Sequence, residues 1–463
     1  MAIEPPRRHV AESLRGLCGG AVLLPGDHGY DAARAAGNLT LHQRPAAVAY
    51  PVDHAEVADV VRAGAQAGLR VAPQGTGHNA GPLGDLHDVI VLRTSGMMRV
   101  AVDAGATRAR VQAGARWADA VEVAGAHGLV PLHGDAPTVG IVGYSLGGGI
   151  GWYARAFGQQ STSIIAAELV TADGVLVRAD AHHDPDLFWA LRGGGGNFGV
   201  VTALEFALYP VREAYAGMLA WDWRQTGQVL DRWARWAADA PETVTTSFRI
   251  QQVPSHASVP GRLRGRRLAA IEGAVLGDGT RASALLAPLR ELRPEIDTFA
   301  TMPATSVIQL SAYRGEPAPV VADSMVLSEL PPAAVERFVD AAGPGSGSPL
   351  WLAELRQLGG ALSRPHPDGG ALSSLDGQFL LQAATVADTP QAQAQGLVRT
   401  RGVISAMAPY ATGSRYLNFA TRPVDVSTGY HPDAWKRMQD VRAAVDPNQL
   451  FVANHSVPPA KPV

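Results

Sequence analysis

The chain contains almost no cysteine and almost no lysine. Cys18 is the only cysteine among 463 residues, which excludes an internal disulfide, a cysteine-based metal site and a CxxC redox pair. Lys436 and Lys461 are the only lysines, and the formal net charge is −3. Because a basic surface is what attracts nucleic acid or an anionic membrane, we expect no nucleic-acid partner and no membrane partner. We also expect no metal. Small, roughly neutral ligands are favoured.

Long apolar runs are also missing. No stretch approaches the roughly 20 apolar residues of a membrane span, and proline and charge interrupt residues 1–20, where a signal peptide needs an unbroken apolar run. These patterns predict a cytoplasmic protein. The length is sufficient for two or three domains with a large core.

The hydrophobic pattern divides the chain into three parts. From 43 to 211, short strand-like segments alternate with helical ones, and Asp173-Gly174 is a hairpin signal. From 212 to 405, longer helical stretches are separated by alternating strands, which predicts a second, α+β domain. The last part, 406–463, carries one helix that ends at DPNQ.

A glycine turn follows the predicted strand LRVAPQG. Its sequence, VAPQGTGHNAGPLG, places His78 beside Gly75 and Gly77, which can adopt φ > 0 and present backbone N–H groups to a phosphate. A histidine at this position lies within reach of any cofactor that those N–H groups hold. The turn therefore predicts a cofactor site around His78.

Two glycine stretches match a dinucleotide-binding pattern by their letters but not by their context. GTGHNA is followed by Gly81, Pro82 and Gly84, which prevent the immediate helix that a Rossmann turn requires. GGGNFG at 194–199 follows a helix and enters a strand, the reverse order. The third stretch, 136–158, is either a buried packing loop or backbone that approaches a large ligand.

Five motifs, in this order, resemble one known family. GTGHN, TVG with GGGIG, LFWALRGGGGNFGVVT, YLNF and DPNQLFVANHSVP are similar to motifs of FAD-linked oxidases of the berberine bridge enzyme-like group. That group has the vanillyl-alcohol oxidase, or PCMH-type, fold, and the resemblance runs from about residue 43 to 458. It implies an α+β protein with a two-subdomain FAD-binding domain, a substrate domain with an antiparallel sheet, and a C-terminal segment that completes the FAD domain.

The resemblance implies FAD bonded covalently through His78. Many relatives carry a second, cysteinyl link at the position of Ala136, so attachment here is expected through the histidine alone. Relatives commonly have arginine and serine at the positions of Gln74 and Gly75, so the backbone must bind the pyrophosphate. The cofactor-binding residues implied are Gln74, Gly75, Thr76, Gly77, His78, Asn79, Pro137, Thr138, Val139, Gly140, Gly143, Tyr144, Gly148, Gly149, Gly151, Val200, Asn418 and Asn454.

The same resemblance implies catalytic roles for Tyr416, Tyr144 and Val139. Tyr416 of YLNF corresponds to a catalytic tyrosine, although a plain core strand is the alternative. Tyr144 either replaces a histidine contact to the flavin or is a core aromatic, and Val139 resembles residues that admit oxygen. A tyrosine with a pKa near 10 is a poor base unless its environment favours phenolate.

Some relatives have an acidic base on a strand of the substrate domain. The matching residue here is Gln382, which cannot act as a base, so deprotonation falls to Tyr416. Tyr313 and Glu354 are further candidates for the wall of the site, with a structural role as the alternative.

The expected function is that of an FAD-dependent oxidase acting on an alcohol or amine carbon of a small organic or secondary-metabolite substrate. Dioxygen is the expected electron acceptor, and the expected assembly is a monomer or homodimer. The alternatives are a flavin-dependent dehydrogenase or cyclase that does not use dioxygen, and a non-catalytic flavin- or metabolite-binding protein.

Overall fold

The computed structural model describes residues 12–255, 261–311 and 316–461. The helices are α1 (Tyr30–Ala33), α2 (His54–Gln66), α3 (Trp117–Gly125), α4 (Ile141–Leu146), α5 (Ala154–Phe157), α6 (Pro185–Leu191), α7 (Thr226–Asp239), α8 (Gly279–Leu285), α9 (Ala287–Arg290), α10 (Pro332–Ala342), α11 (Pro390–Met407) and α12 (Pro432–Val445). None of the described helices is long and apolar enough to cross a bilayer.

The strands form three sheets. The first sheet has the order β1-β2-β4-β3, built from β1 (Val22–Leu23), β2 (Ala47–Ala49), β3 (Arg70–Gln74) and β4 (Val89–Arg93). The second has the order β5-β6-β9-β7-β8, built from β5 (Val100–Asp103), β6 (Arg108–Gln112), β7 (Ile164–Val170), β8 (Leu176–Asp180) and β9 (Val200–Ala207).

The third sheet is antiparallel and contains eight strands. Its order is β13-β10-β12-β11-β16-β17-β15, with β14 paired to β10. Its strands are β10 (Glu213–Asp222), β11 (Val244–Gln252), β12 (Arg267–Val275), β13 (Ile296–Asp297), β14 (Ala300–Pro303), β15 (Val320–Leu327), β16 (Leu352–Gln357) and β17 (Phe379–Val386).

The two faces of the third sheet carry different chemistry. Phe248, Leu355 and Leu381 point into an apolar core that includes side chains of α7, α10 and α11. Successive side chains of a strand point to opposite faces. The neighbouring residues Arg249 and Glu354 therefore face the other way, toward a cavity. One face holds the domain together, and the other is available for binding.

The C-terminal segment extends the first sheet. Phe451 pairs in parallel with Val71 of the edge strand β3. The N–H of Val71 donates to the Leu450 carbonyl at 2.8 Å, and the N–H of Val452 donates to the Val71 carbonyl at 2.9 Å. Residues near the end of the chain thus lie directly beside the glycine turn that follows β3.

Several local predictions are confirmed. Helix α2 forms where apolar residues recur at helical spacing, and the Asp53 side chain caps it by accepting from the Glu56 N–H. The hairpin around Asp173-Gly174 joins β7 to β8. One alternative is wrong: YLNF is not a strand, because Leu417–Phe419 form a 3₁₀ turn. Residues 136–158 include the short helices α4 and α5.

Candidate active site

One cavity of about 420 Å³ lies where all parts of the chain meet. The GTGHN turn forms one wall, and strands β11, β16 and β17 of the third sheet form another. The YLNF turn and residues 452–455 supply further lining residues. A site built from such distant segments has a fixed shape only when the whole chain is folded.

The GTGHN turn has free backbone donors. Gly77 has φ +72°, in the left-handed region, and a Cβ at this position would approach the backbone of Gly37. In the described part of the chain, no residue accepts a hydrogen bond from the N–H groups of Gly75, Thr76, Gly77 or His78. Unpaired N–H groups on a glycine turn that lines a cavity suit an anionic group such as a pyrophosphate.

His78 is half-buried in the wall of this cavity. Burial lowers the pKa of its imidazole below the usual value, although a hydrogen bond to the Thr138 backbone acts in the opposite direction. The neutral ring keeps a lone pair near neutral pH. His78 can therefore act as a nucleophile toward a bound group.

Tyr416 lines the cavity, and hydrogen bonds hold its hydroxyl in position. Its oxygen accepts from the N–H of Gly149 at 2.8 Å and from Nδ2 of Asn418 at 3.4 Å. Burial raises the pKa of Tyr416, and these donors only partly offset that effect. Sequence reasoning required an environment that favours phenolate, and the net shift is in the opposite direction.

Tyr144 lines the same cavity. Its ring packs edge-on against Trp117, with centroids 5.2 Å apart, and its carbonyl accepts from Nδ2 of Asn418 at 3.0 Å. The Tyr144 hydroxyl is buried and has no partner among the described residues. Because a buried hydroxyl normally has a partner, this group is available to a ligand.

Most of the predicted site residues line the cavity: Gln74, Gly75, Thr76, Gly77, His78, Asn79, Val139, Gly140, Gly143, Tyr144, Tyr416, Asn418 and Asn454. The remaining ones are absent from its lining: Pro137, Thr138, Gly148, Gly149, Gly151 and Val200.

Packing explains why some of the latter residues are glycines. A Cβ on Gly151 would overlap the carbonyl oxygen of His133, and one on Gly149 would overlap the ring of Tyr144. Gly148 has φ +111° and approaches Gln159. Close packing, rather than contact with a ligand, therefore explains the glycines at positions 148, 149 and 151.

A buried network of charges at the cavity wall was missed from the sequence. Nη2 of Arg356 contacts the carboxylates of Asp135 at 2.6 Å and Glu354 at 3.0 Å. Nη2 of Arg249 contacts Glu354 at 3.3 Å and Asp135 at 3.5 Å, and its Nη1 is paired with Glu272. All except Glu272 line the cavity.

Strand register creates this network. Arg249 of β11 lies directly opposite Glu354 of β16, and Glu354 lies directly opposite Gln382 of β17. A carboxylate therefore does stand beside Gln382, but both arginines engage it. Tyr313, another predicted wall residue, lies outside the described residues.

The C-terminal segment locks the glycine turn to the YLNF turn. Nδ2 of Asn454 donates to the Asn79 carbonyl at 3.2 Å, and Nδ2 of Asn79 donates to the Leu417 carbonyl at 3.1 Å. Nε2 of His455 also bonds to the Leu417 carbonyl, at 2.9 Å. His455 was missed, although it lies within the NHS portion of a quoted motif.

The chain is similar in sequence to known flavin-linked proteins. Residues 45–180 match the FAD binding domain family. Over 455 residues the chain is 28% identical to a chitooligosaccharide oxidase of Gibberella zeae, covering 91% of this chain and 89% of the relative.

Two solved structures are similar along nearly the whole chain. The 6-hydroxy-D-nicotine oxidase of Arthrobacter nicotinovorans superposes with a TM-score of 0.81 at 25% identity, covering 95% of this chain and 98% of that one. The wild-type BBE-like 1 protein of Physcomitrella patens superposes with a TM-score of 0.82 at 22% identity, covering 98% of this chain and 99% of that one.

These similarities confirm the fold class: the chain is an α+β protein with the PCMH-type FAD-binding fold. The unpaired N–H groups of the glycine turn fit the FAD that this fold holds. The protein is an FAD-linked oxidoreductase.

Proposed function

We propose that the protein is an oxidase that removes a hydride from an alcohol or amine carbon of a small organic or secondary-metabolite substrate and uses dioxygen as the electron acceptor. The overall reaction converts the alcohol to a carbonyl compound, or the amine to an imine, and dioxygen to hydrogen peroxide. FAD, when bound, supplies the hydride acceptor. A cytoplasmic location and a monomeric or homodimeric state stay predictions.

One observation carries this proposal: a single cavity is lined by His78, Tyr416, Asn418 and Val139. A non-catalytic binding protein would be favoured if the Tyr416 side chain faced away from the cofactor cavity. Tyr416 lines this cavity. The position of Tyr416 therefore supports an enzyme rather than a non-catalytic binding protein.

We further propose that FAD is attached through His78. The lowered pKa of His78 supports this, because a neutral imidazole is the form that can bond to carbon. Ala136 lines the same cavity and carries no thiol. A second, cysteinyl bond at that position is chemically excluded.

Tyr416 is proposed to take the substrate proton. Because burial raises its pKa, a preformed phenolate is scarce at neutral pH. Only this minor phenolate form can accept the substrate proton as the hydride leaves, and the Gly149 and Asn418 donors stabilise the negative charge on its oxygen until then. The same two hydrogen bonds fix the position of the Tyr416 oxygen.

The test is anaerobic reduction of the purified protein by a panel of alcohols and amines, followed by admission of air. We expect one substrate class to bleach the flavin absorbance, rapid recovery in air, and peroxide equal to the substrate consumed. Recovery no faster than that of free reduced flavin would favour a dehydrogenase or cyclase. A flavin that no substrate bleaches would favour the binding protein.

A further inference from the structure

Asp135 differs from the other acids of the charge network in its access to the cavity. Its side chain is 26% exposed, whereas those of Glu354 and Glu272 are 2% and 3% exposed. Burial acts to raise the pKa of Asp135, but the guanidinium groups of Arg356 and Arg249 lower it below the usual value. The cavity wall therefore presents one accessible, ionised carboxylate.

The two guanidinium groups leave one side of that carboxylate open. Both arginine side chains are 4% exposed, and the bonds from Arg356 and Arg249 to Asp135 both end on Oδ2. Among the described residues no side chain donates to Oδ1, and the further donor to this carboxylate is the backbone of Asp135 itself. Oδ1 can accept a hydrogen bond from a ligand without the loss of an existing ion pair.

Acids outnumber bases in the same network. The carboxyl groups of Asp135, Glu272 and Glu354 contact only two guanidinium groups, those of Arg249 and Arg356. An incoming anion would therefore add negative charge to a buried cluster that already holds more acids than bases, which is unfavourable. A carboxylate or phosphate on the substrate would also face Asp135 directly.

We propose that Asp135 is a specificity-determining residue that accepts a hydrogen bond from an ammonium or hydroxyl group of the substrate, and that the site rejects substrates whose polar group is anionic. This inference rests on the proposed oxidase function, because it assigns the substrate class of the same cavity. Arg356 and Arg249 are positioning residues: they hold the carboxylate ionised and orient it. Tyr144, whose hydroxyl lacks a partner among the described residues, offers a second polar contact.

Three compounds that share a 2-phenylpropan-2-yl group and differ in the polar group test the proposal without turnover. In 2-phenylpropan-2-amine, 2-phenylpropan-2-ol and 2-methyl-2-phenylpropanoate, the carbon that bears the polar group has no hydrogen, so no hydride can leave. Binding is measured by perturbation of the flavin absorbance and, independently of flavin, by the shift of the melting temperature. We expect the amine and the alcohol to bind at least about tenfold more tightly than the carboxylate, the effect of one charge-assisted hydrogen bond. Comparing the affinity of the amine with that of the alcohol shows whether Asp135 prefers an ammonium or a hydroxyl donor.

Asp135→Asn keeps the shape and removes the charge. It should weaken the amine about tenfold or more and strengthen the carboxylate, because Arg356 then has one carboxylate partner fewer. The matched control is Asp323→Asn: Asp323 is paired with Arg422, is 20% exposed, and does not line the cavity. This control should leave all three affinities unchanged.

Two outcomes would overturn the proposal. One is a wild-type protein that binds the carboxylate as tightly as the amine and the alcohol, which is decisive even if Asp135→Asn does not fold. The other is a folded Asp135→Asn protein with the wild-type ranking. Failure of the oxidase proposal is recognised separately, by a purified protein that lacks flavin or is not bleached by any substrate.

Discussion

The backbone N–H of Gly149 donates to the hydroxyl oxygen of Tyr416 across 2.8 Å, although 267 residues separate the two in sequence. The bond connects the glycine-rich segment after α4 to the YLNF turn. It also leaves the Tyr416 proton free to point toward the cavity. The phenol is held in place by backbone, which a side-chain substitution elsewhere cannot remove.

Tyr416→Phe removes only the hydroxyl, so the packing of the ring should survive. We expect flavin reduction by substrate to slow by about 10²–10⁴-fold, the usual contribution of a general base, with flavin content unchanged. Stopped-flow reduction under anaerobic conditions measures the rate. A Phe variant that is reduced at the parental rate would make Tyr416 a wall residue.

His78→Ala should abolish covalent attachment. In the wild type, yellow colour should stay with the acid-precipitated protein, and in the variant it should pass to the supernatant. Because burial lowers the pKa of His78, attachment to added FAD should persist somewhat below pH 6.5, where a free imidazole is already largely protonated. Flavin released wholly from the wild type would contradict the linkage.

Val139→Leu should slow reoxidation by dioxygen, because Val139 lines the cavity and a larger side chain narrows it. Anaerobic reduction by the substrate is the internal control and should change little. The measurement is the recovery of flavin absorbance after mixing with aerated buffer. Equal slowing of both half-reactions would indicate general disruption rather than a block to oxygen.

Gly151→Ala and Gly143→Ala separate packing from cofactor binding. A Cβ on Gly151 would overlap the His133 carbonyl, so this variant should lose about 1–3 kcal/mol of unfolding free energy or more. A Cβ on Gly143 meets no atom within 4 Å, and Gly143 lines the cavity, so this variant should fold normally and retain less flavin. Denaturant unfolding and flavin absorbance give the two readouts.

His133 should make the protein sensitive to acid. Complete burial lowers its pKa to about 4, below the unfolded value near 6.5. Between these values the unfolded state binds more protons, so its contribution to stability is full above pH 6.5 and is lost as the pH falls toward 4. His133→Asn should reduce the pH slope of the unfolding free energy by up to about 1.4 kcal/mol per pH unit. The exposed His127→Asn is the control and should leave the slope unchanged.

The sequence predicts those features that depend on local pattern. Helix α2 follows from the spacing of apolar residues, and the glycine turn around His78 follows from the special backbone that glycine allows. The Asp135 network could not be predicted in this way. It depends on the register of β11 against β16, strands about 100 residues apart, and no local pattern encodes that pairing.

The pairing of Phe451 beside Val71 also has a consequence for the order of events in biosynthesis. The strand that carries the glycine turn is made well before its neighbouring segment, because Val71 precedes Phe451 by several hundred residues. A flavin that binds the nascent chain would meet a half-built wall, lacking Tyr416, Asn454 and His455. The lining of the cavity is therefore complete only once residues 416–455 have been made. Removal of residues 452–463 should give a colourless chain, because it takes away Asn454 and His455.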